Sequence, residues 1–129
     1  MEEELQHALS SLKRNKNKEN VISFLKLIRK YFPPSDDFSI TLWKSGIYEY
    51  VLDRRGIAIL RVAEDEYLPY MSAYEKRLDF FQIPENLINN FDWKSVLKQL
   101  RDIVLEYSKR DKNFVKIAEI LNDVILKNI

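Results

Sequence analysis

The sequence predicts a single α+β domain, in which helices at both ends of the chain flank a small antiparallel sheet. Apolar residues recur with helical three-and-four spacing in the first and last thirds, but alternate with polar residues in the middle third. The two glycines, Gly46 and Gly56, both lie between strand-like runs, where tight turns favour them. A length of 129 residues, 46% of them hydrophobic, suits one domain with its own core.

Two helices are predicted in the first third of the chain. Apolar residues mark one helical face over residues 5–12 and another over residues 21–32. The segment 13–18 between them is polar and basic, and its asparagines favour a break over one long helix. Pro33 and Pro34 end the second helix, because proline has no N–H to donate and disfavours helical backbone in the residue before it.

Three strands are predicted in the middle third, over residues 38–43, 47–52 and 57–62. The segment 53–56 joins the last two as a hairpin. Residues 64–83 contain a proline that interrupts any long helix, so we expect an irregular segment there. An additional strand at the edge of the sheet is the alternative for this segment. The sheet is therefore predicted to be an antiparallel meander of three to four strands.

The last third predicts a helical hairpin that packs on one face of the sheet. Asp92 is expected to cap a helix whose apolar face extends to Tyr107, and Asp111 is expected to cap a second helix. Only a few residues separate the two helices, which favours an antiparallel pair. The predicted core residues are Trp43, Ile47, Val51, Ile59, Leu60, Leu97, Leu100, Val104, Leu121 and Val124.

The composition excludes most catalytic and metal-binding chemistry. Without cysteine there are no disulfides, thiolate zinc sites or cysteine nucleophiles, and the single histidine, His7, supplies at most one metal ligand. Two isolated glycines cannot form the glycine-rich loops that bind nucleotides, and the G-x-S-x-G pattern of serine hydrolases is missing. We therefore expect a protein that is not an enzyme and uses neither a cofactor nor a metal.

Charge is unevenly distributed, although the whole chain carries only +1. Residues 13–30 carry +6, whereas residues 31–75 carry −4. The acidic N-terminus lacks the basic start and apolar run of a secretory signal, and no apolar stretch is long enough to cross a bilayer. These features predict a cytoplasmic protein with a basic helical end and an acidic middle, whose electric field orients charged partners.

Carboxylates and tyrosines are concentrated together in the acidic middle of the chain. Tyrosine buries a large contact area, and neighbouring carboxylates attract a basic protein surface. The predicted partner-binding residues are Glu64, Asp65, Glu66, Tyr67, Tyr70, Tyr74 and Glu75. In architecture and composition the chain resembles bacterial immunity proteins that neutralise toxic nucleases. This resemblance implies an inhibitor or antitoxin-type protein that binds one basic protein partner, a toxin or effector, and blocks it.

Nucleic acid binding is an alternative function, and it would use the basic residues Lys13, Arg14, Lys16 and Lys18. Segments that bind a phosphate backbone are usually accompanied by aromatic or glycine-rich platforms, and the neighbouring sequence supplies neither. A related alternative is a metal-independent ribonuclease, because the order of helices and sheet is similar to that of some bacterial ribonuclease toxins. The groups available for that chemistry are Arg54, Arg55, Arg61, Tyr48 and Tyr50.

A further alternative is a structural or regulatory subunit that forms a dimer. Ile125, Leu126 and Ile129 make the last residues of the sequence unusually apolar, which favours association through the C-terminal helices. Monomer and homodimer are both compatible with the sequence, and the molecular mass measured by light scattering at several protein concentrations distinguishes them.

Overall fold

The computed structural model describes residues 1–61 and 74–129, and its architecture is the predicted α+β fold. In these residues, helices precede and follow a four-stranded antiparallel sheet. The helices are α1 (Glu2–Arg14), α2 (Lys18–Arg29), α3 (Glu85–Ile88), α4 (Trp93–Ser108) and α5 (Asn113–Lys127), with a 3-10 helix at Phe80–Gln82. The strands are β1 (Ile40–Ser45), β2 (Tyr48–Asp53), β3 (Gly56–Arg61) and β4 (Tyr74–Leu78).

The predicted break between the first two helices is confirmed, and asparagine side chains form it. The Asn17 side-chain oxygen accepts the N–H of Asn20 at 2.8 Å and so caps the start of α2. The Asn20 amide in turn donates to the carbonyl oxygens of Asn15 at 2.8 Å and Ser11 at 3.2 Å. These bonds satisfy backbone groups that a helix end leaves without partners, which stabilises the corner between α1 and α2.

The four strands lie in the sheet in chain order, each antiparallel to the next. Gly46 (φ +62°) and Gly56 (φ +126°) form the turns before β2 and at the start of β3, with backbone angles that disfavour any residue with a Cβ. A register shift in β1 lies between Thr41 and Trp43, and as a result the consecutive residues Leu42 and Trp43 are both buried.

The fourth strand lies within the stretch that was expected to be mainly irregular. Tyr74 pairs with Arg61 and Leu78 pairs with Ile57, so β4 continues the meander. The alternation of apolar and polar residues that marks a strand is weak in β4, because its three central residues are all charged. Charged residues are common in strands at the edge of a sheet.

The main core lies between one face of the sheet and the helices. Leu52 and Ile57 on that face belong to the same cluster of buried residues as Leu97 of α4. Phe24 of α2 meets Phe91 edge to face, with ring centres 5.8 Å apart. The helices therefore cover the sheet face that carries Leu52 and Ile57, while Val51 and Ala58 are buried on the opposite face and lie outside this cluster.

Seven of the ten predicted core residues are buried, namely Trp43, Val51, Leu97, Leu100, Val104, Leu121 and Val124. The prediction was wrong for Ile47, whose side chain is 45% exposed because it lies in the turn before β2 and not in the strand. Ile59 and Leu60 are only partly buried. Leu60 lies on the opposite sheet face from Ile57, because successive strand residues alternate between faces.

The C-terminal hairpin of α4 and α5 forms as predicted and packs against the sheet and α1. The Asp92 carboxylate accepts the N–H groups of Lys94 and Ser95, which confirms its role as a cap. Asp111 accepts the N–H of Asn113, although α5 itself is preceded by Lys112. No helix in the described ranges combines the length and hydrophobicity that crossing a lipid bilayer requires.

Candidate functional site

Most of the predicted partner-binding residues lie outside the part of the chain that the structure describes. Glu64, Asp65, Glu66, Tyr67 and Tyr70 all fall in residues 62–73, so their placement is not tested. Tyr74 and Glu75 are the first two residues of β4. The two strands that flank this segment are neighbours, because Arg61 at the end of β3 faces Tyr74 at the start of β4.

One exposed apolar residue and one exposed aromatic residue lie at this same end of the sheet. The turn between β1 and β2 lies there, and Ile47 and Tyr48 in and after it are 45% and 43% exposed. Tyr48 faces Arg61 across the β2–β3 ladder, and Arg61 faces Tyr74 across the β3–β4 ladder. We call the group of Ile47, Tyr48, Arg61 and Tyr74 the tyrosine end of the sheet.

Glu75 does not stand alone as a negative charge, because it belongs to a cluster with Arg77, Asp53 and Arg55. Arg77 binds both Asp53 carboxylate oxygens, at 2.9 and 2.7 Å, and approaches Glu75 to 2.7 Å. Arg55 lies 3.9 Å from Glu75 and 4.0 Å from Asp53. Two arginines thus balance two carboxylates, so the described part of the predicted acidic face is locally neutral.

The Asp53 carboxylate is the most enclosed group in this cluster, with its side chain 13% exposed. Burial by itself raises the pKa of Asp53, but the hydrogen bonds from Arg77 and from the Arg55 N–H outweigh it and lower that pKa overall. The same contact raises the pKa of Arg77. The Asp53–Arg77 ion pair therefore remains ionised at neutral pH and fixes β4 against the β2–β3 hairpin.

The residues considered for ribonuclease chemistry do not share one site. Arg54 and Arg55 lie in the β2–β3 turn, at the opposite end of the strands from Tyr48 and Arg61. Arg54 is also paired with Asp36 at 2.7 Å. Tyr50 packs edge to face on the buried Trp43. Six-residue strands separate the two ends by roughly 17–20 Å, which is too far for one phosphate.

Other predicted residues are distributed over the helical surface. His7 is exposed on α1, and the described residues hold no group of three histidine, aspartate or glutamate side chains that could bind a metal. At the end of α5, Ile125 is buried in the core, whereas Leu126 and Ile129 are 63% and 73% exposed. Ile125 is therefore not accessible at a helical dimer interface.

The basic N-terminal segment lies beside an aromatic ring that the sequence analysis did not associate with it. The Lys13 ammonium is 5.0 Å from the ring centre of Trp93, and the Lys94 ammonium is 5.7 Å from the same ring. The expectation that this segment has no aromatic platform was therefore wrong. No local signal identifies the pair, because Lys13 lies in the last turn of α1 and Trp93 begins α4, far along the chain.

These residues line an open groove of about 640 Å³, which we call the lysine–tryptophan groove. Its lining residues are Leu12, Lys13, Lys16, Asn89, Asn90, Phe91, Asp92, Trp93 and Lys94. Arg14 and Lys18, the other two basic residues considered for phosphate contact, are not part of the lining. Lys18 lies 3.8 Å from Glu85, so its charge is partly balanced.

Comparison with known proteins identifies no relative, since no family model, curated protein or solved structure matches this chain.

Proposed function

We propose that the chain is a non-catalytic protein-binding module that holds one basic protein partner at the tyrosine end of the sheet and blocks its activity. This would be the role of an inhibitor or immunity protein. The observation that supports it best is the exposure of the consecutive residues Ile47 and Tyr48 at that end. Large exposed apolar and aromatic side chains are typical anchors of protein interfaces.

Charge supports the choice of a basic partner. The segment that joins Arg61 to Tyr74 contains Glu64, Asp65 and Glu66, and it connects two strands at the tyrosine end. Because Glu75 is balanced by Arg77, these three carboxylates supply the negative charge in this proposal. Complementary charge of this kind accelerates association, and aromatic contact area then supplies affinity.

Site-specific photo-cross-linking tests the proposal. A photoreactive phenylalanine analogue is placed at Tyr48 in one variant and at Phe81 in a control variant, and each is exposed to lysate of the source cells. Phe81 is a suitable control because it is an aromatic residue, 72% exposed, that follows the other end of β4.

We expect one basic protein to be cross-linked through position 48 and not through position 81. The purified partner should then lose its own activity when it is mixed with the unmodified chain. If position 48 cross-links to nothing, or to the same set of proteins as position 81, the tyrosine end is not a partner-binding surface.

A further inference from the structure

The lysine–tryptophan groove combines positive charge with an accessible aromatic ring. Trp93 is only partly buried, and the ammonium groups of Lys13 and Lys94 both lie within 6 Å of its ring centre, at the distances given above. Lys13 is held in position because its ammonium donates to the Asn128 side-chain oxygen at 2.8 Å. Since that acceptor is a neutral amide, this hydrogen bond does not offset the positive charge of Lys13.

The charge of the groove is not cancelled by the acidic residue in its lining. Lys16 donates to the Asn89 backbone carbonyl at 3.3 Å, which is again a neutral acceptor. Within the described residues, Lys13, Lys16 and Lys94 form no ion pair with a carboxylate. Asp92 is the one acidic lining residue, and its carboxylate accepts two backbone N–H groups at the start of α4.

From these contacts we infer that the lysine–tryptophan groove binds a short stretch of single-stranded nucleic acid. The three lysines provide cations for successive phosphates, and Trp93 provides a surface on which a base stacks. The exposed amides of Asn89 and Asn90 lie in the same groove and can form hydrogen bonds with base edges. This inference is independent of the proposed protein partner, which would bind at the tyrosine end.

A single strand fits this combination better than a duplex. In a duplex the base faces are stacked on one another, so an indole ring could not reach them without unstacking. A duplex would use the lysines alone, and its affinity would not depend on Trp93. The volume of about 640 Å³ is within the range of small-ligand sites, which limits the groove to a few nucleotides.

Fluorescence anisotropy with a labelled 12-nucleotide single strand, at several salt concentrations, measures the proposed binding. The same measurement with a duplex of matched sequence and with inorganic polyphosphate separates base stacking from charge alone. Tryptophan fluorescence gives an independent signal, because Trp43 is buried and a stacking base should quench Trp93.

Two variants and one control test the residues. The first variant is Lys13→Gln, Lys16→Gln and Lys94→Gln together, and the second is Trp93→Leu. The control is Lys109→Gln, Lys112→Gln and Lys116→Gln, which makes the same charge change at exposed positions around the α4–α5 turn. Circular dichroism establishes that each variant is folded before its binding is measured.

We expect the unmodified chain to bind the single strand more tightly than the duplex or polyphosphate, with quenching of tryptophan fluorescence. The groove triple variant should make the negative slope of log affinity against log salt shallower by about 2. Each lost phosphate contact reduces the magnitude of that slope by about 0.7. Trp93→Leu should weaken binding about tenfold while leaving that slope unchanged. The control should retain tight binding and quenching.

Two outcomes overturn the inference. One is that the single strand does not bind at low salt, or binds as weakly as polyphosphate without quenching tryptophan fluorescence. The other is that the control triple variant loses as much affinity as the groove triple variant, because binding would then depend only on total charge. If Trp93→Leu does not fold, the comparison of the two triple variants still decides the question. A positive result would not depend on whether Tyr48 cross-links to a protein.

Discussion

The side chain of Gln99 forms two hydrogen bonds with the backbone of Thr41, one in each direction. Its oxygen accepts the Thr41 N–H at 2.9 Å, and its amide nitrogen donates to the Thr41 carbonyl at 2.9 Å. Thr41 lies in β1 beside the register shift, at an edge of the described sheet. A glutamine of α4 thus substitutes for a missing strand neighbour, covers the sheet edge and links it to the helical hairpin.

Replacing Gln99 should destabilise the fold by leaving two backbone groups without partners. We expect Gln99→Met to lower the free energy of unfolding by about 1–3 kcal/mol, because a partly buried N–H and carbonyl would lose their hydrogen bonds. Urea denaturation measures the difference. Lys98→Met, at the exposed neighbouring position of α4, is the matched control and should change the stability by less than about 0.5 kcal/mol. Equal losses in both variants would contradict this role of Gln99.

The Asp53–Arg77 ion pair should make stability depend on pH. Because the pKa of Asp53 is lowered from its ordinary value of 3.8, the folded protein binds this proton less tightly than the unfolded chain. The carboxylate therefore stabilises the fold above about pH 4, and this contribution is lost as the pH falls through the lower pKa of the folded state. We expect Asp53→Asn to lower the free energy of unfolding by about 1 kcal/mol at pH 7 and by much less at pH 3.

Asp36→Asn is the matched control for this effect. Asp36 also forms an ion pair with an arginine, and the hydrogen bond from Arg54 lowers its pKa, but both side chains are largely exposed. Solvent screens such a pair, so its removal should change the stability less than Asp53→Asn. An equal effect of the two variants would mean that the burial of the Asp53 carboxylate does not determine how much stability is lost.

Trp43 should tolerate replacement by phenylalanine but not by alanine. Its ring packs on Tyr50 and Phe91, with ring centres 6.1 and 5.6 Å away, while its buried N–H has no hydrogen-bond acceptor among the described residues. Trp43→Phe retains an aromatic ring and removes that N–H, so we expect a loss below about 1.5 kcal/mol. Trp43→Ala should cost about 3–5 kcal/mol through the cavity it creates. Similar losses of stability in both variants would indicate that the indole N–H of Trp43 forms a hydrogen bond that phenylalanine cannot replace.

The proposed basic partner gives a kinetic prediction. Replacing Glu64, Asp65 and Glu66 together with lysine should lower the association rate of the purified partner by at least about tenfold at low salt. The dissociation rate should change little, because the contact area of Ile47 and Tyr48 is retained. Surface plasmon resonance at low and high salt measures both rates. A triple reversal at Glu106, Asp102 and Glu119, on the helical hairpin, is the matched control, and equal slowing by both variants would argue against the tyrosine end.

Local sequence patterns were sufficient for most of the fold. Helices α1, α2, α4 and α5 follow from their apolar spacing, and the turn glycines follow from their positions between strands. Apolar spacing gave the wrong prediction for Ile47, because a hydrophobic residue occupies a turn there. It did not decide whether β4 forms, because the charged central residues of β4 hide the alternation of apolar and polar residues. In both cases the deciding information is the pairing with a neighbouring strand, which apolar spacing does not contain.

The candidate sites were harder to predict than the fold. The acidic residues were visible as a run in the sequence, but the contacts of Arg77 with Glu75 and with Asp53 depend on strand geometry and pairing that the sequence does not specify. The contact between Lys13 and Trp93 joins the end of the first helix to the start of the fourth, so it exists only after the whole domain has folded. Tertiary packing, rather than any local motif, creates the groove.

The order of strands in the sheet has a consequence for how quickly the protein folds. Each strand pairs with the next one along the chain, and α1–α2 and α4–α5 are likewise pairs of neighbouring helices. Folding can therefore advance through a series of short loop closures, each of which loses little chain entropy. The link between Thr41 and Gln99, 58 residues apart, and the Glu2–Lys127 ion pair, 125 residues apart, are among the long-distance closures, and we expect such closures to form last.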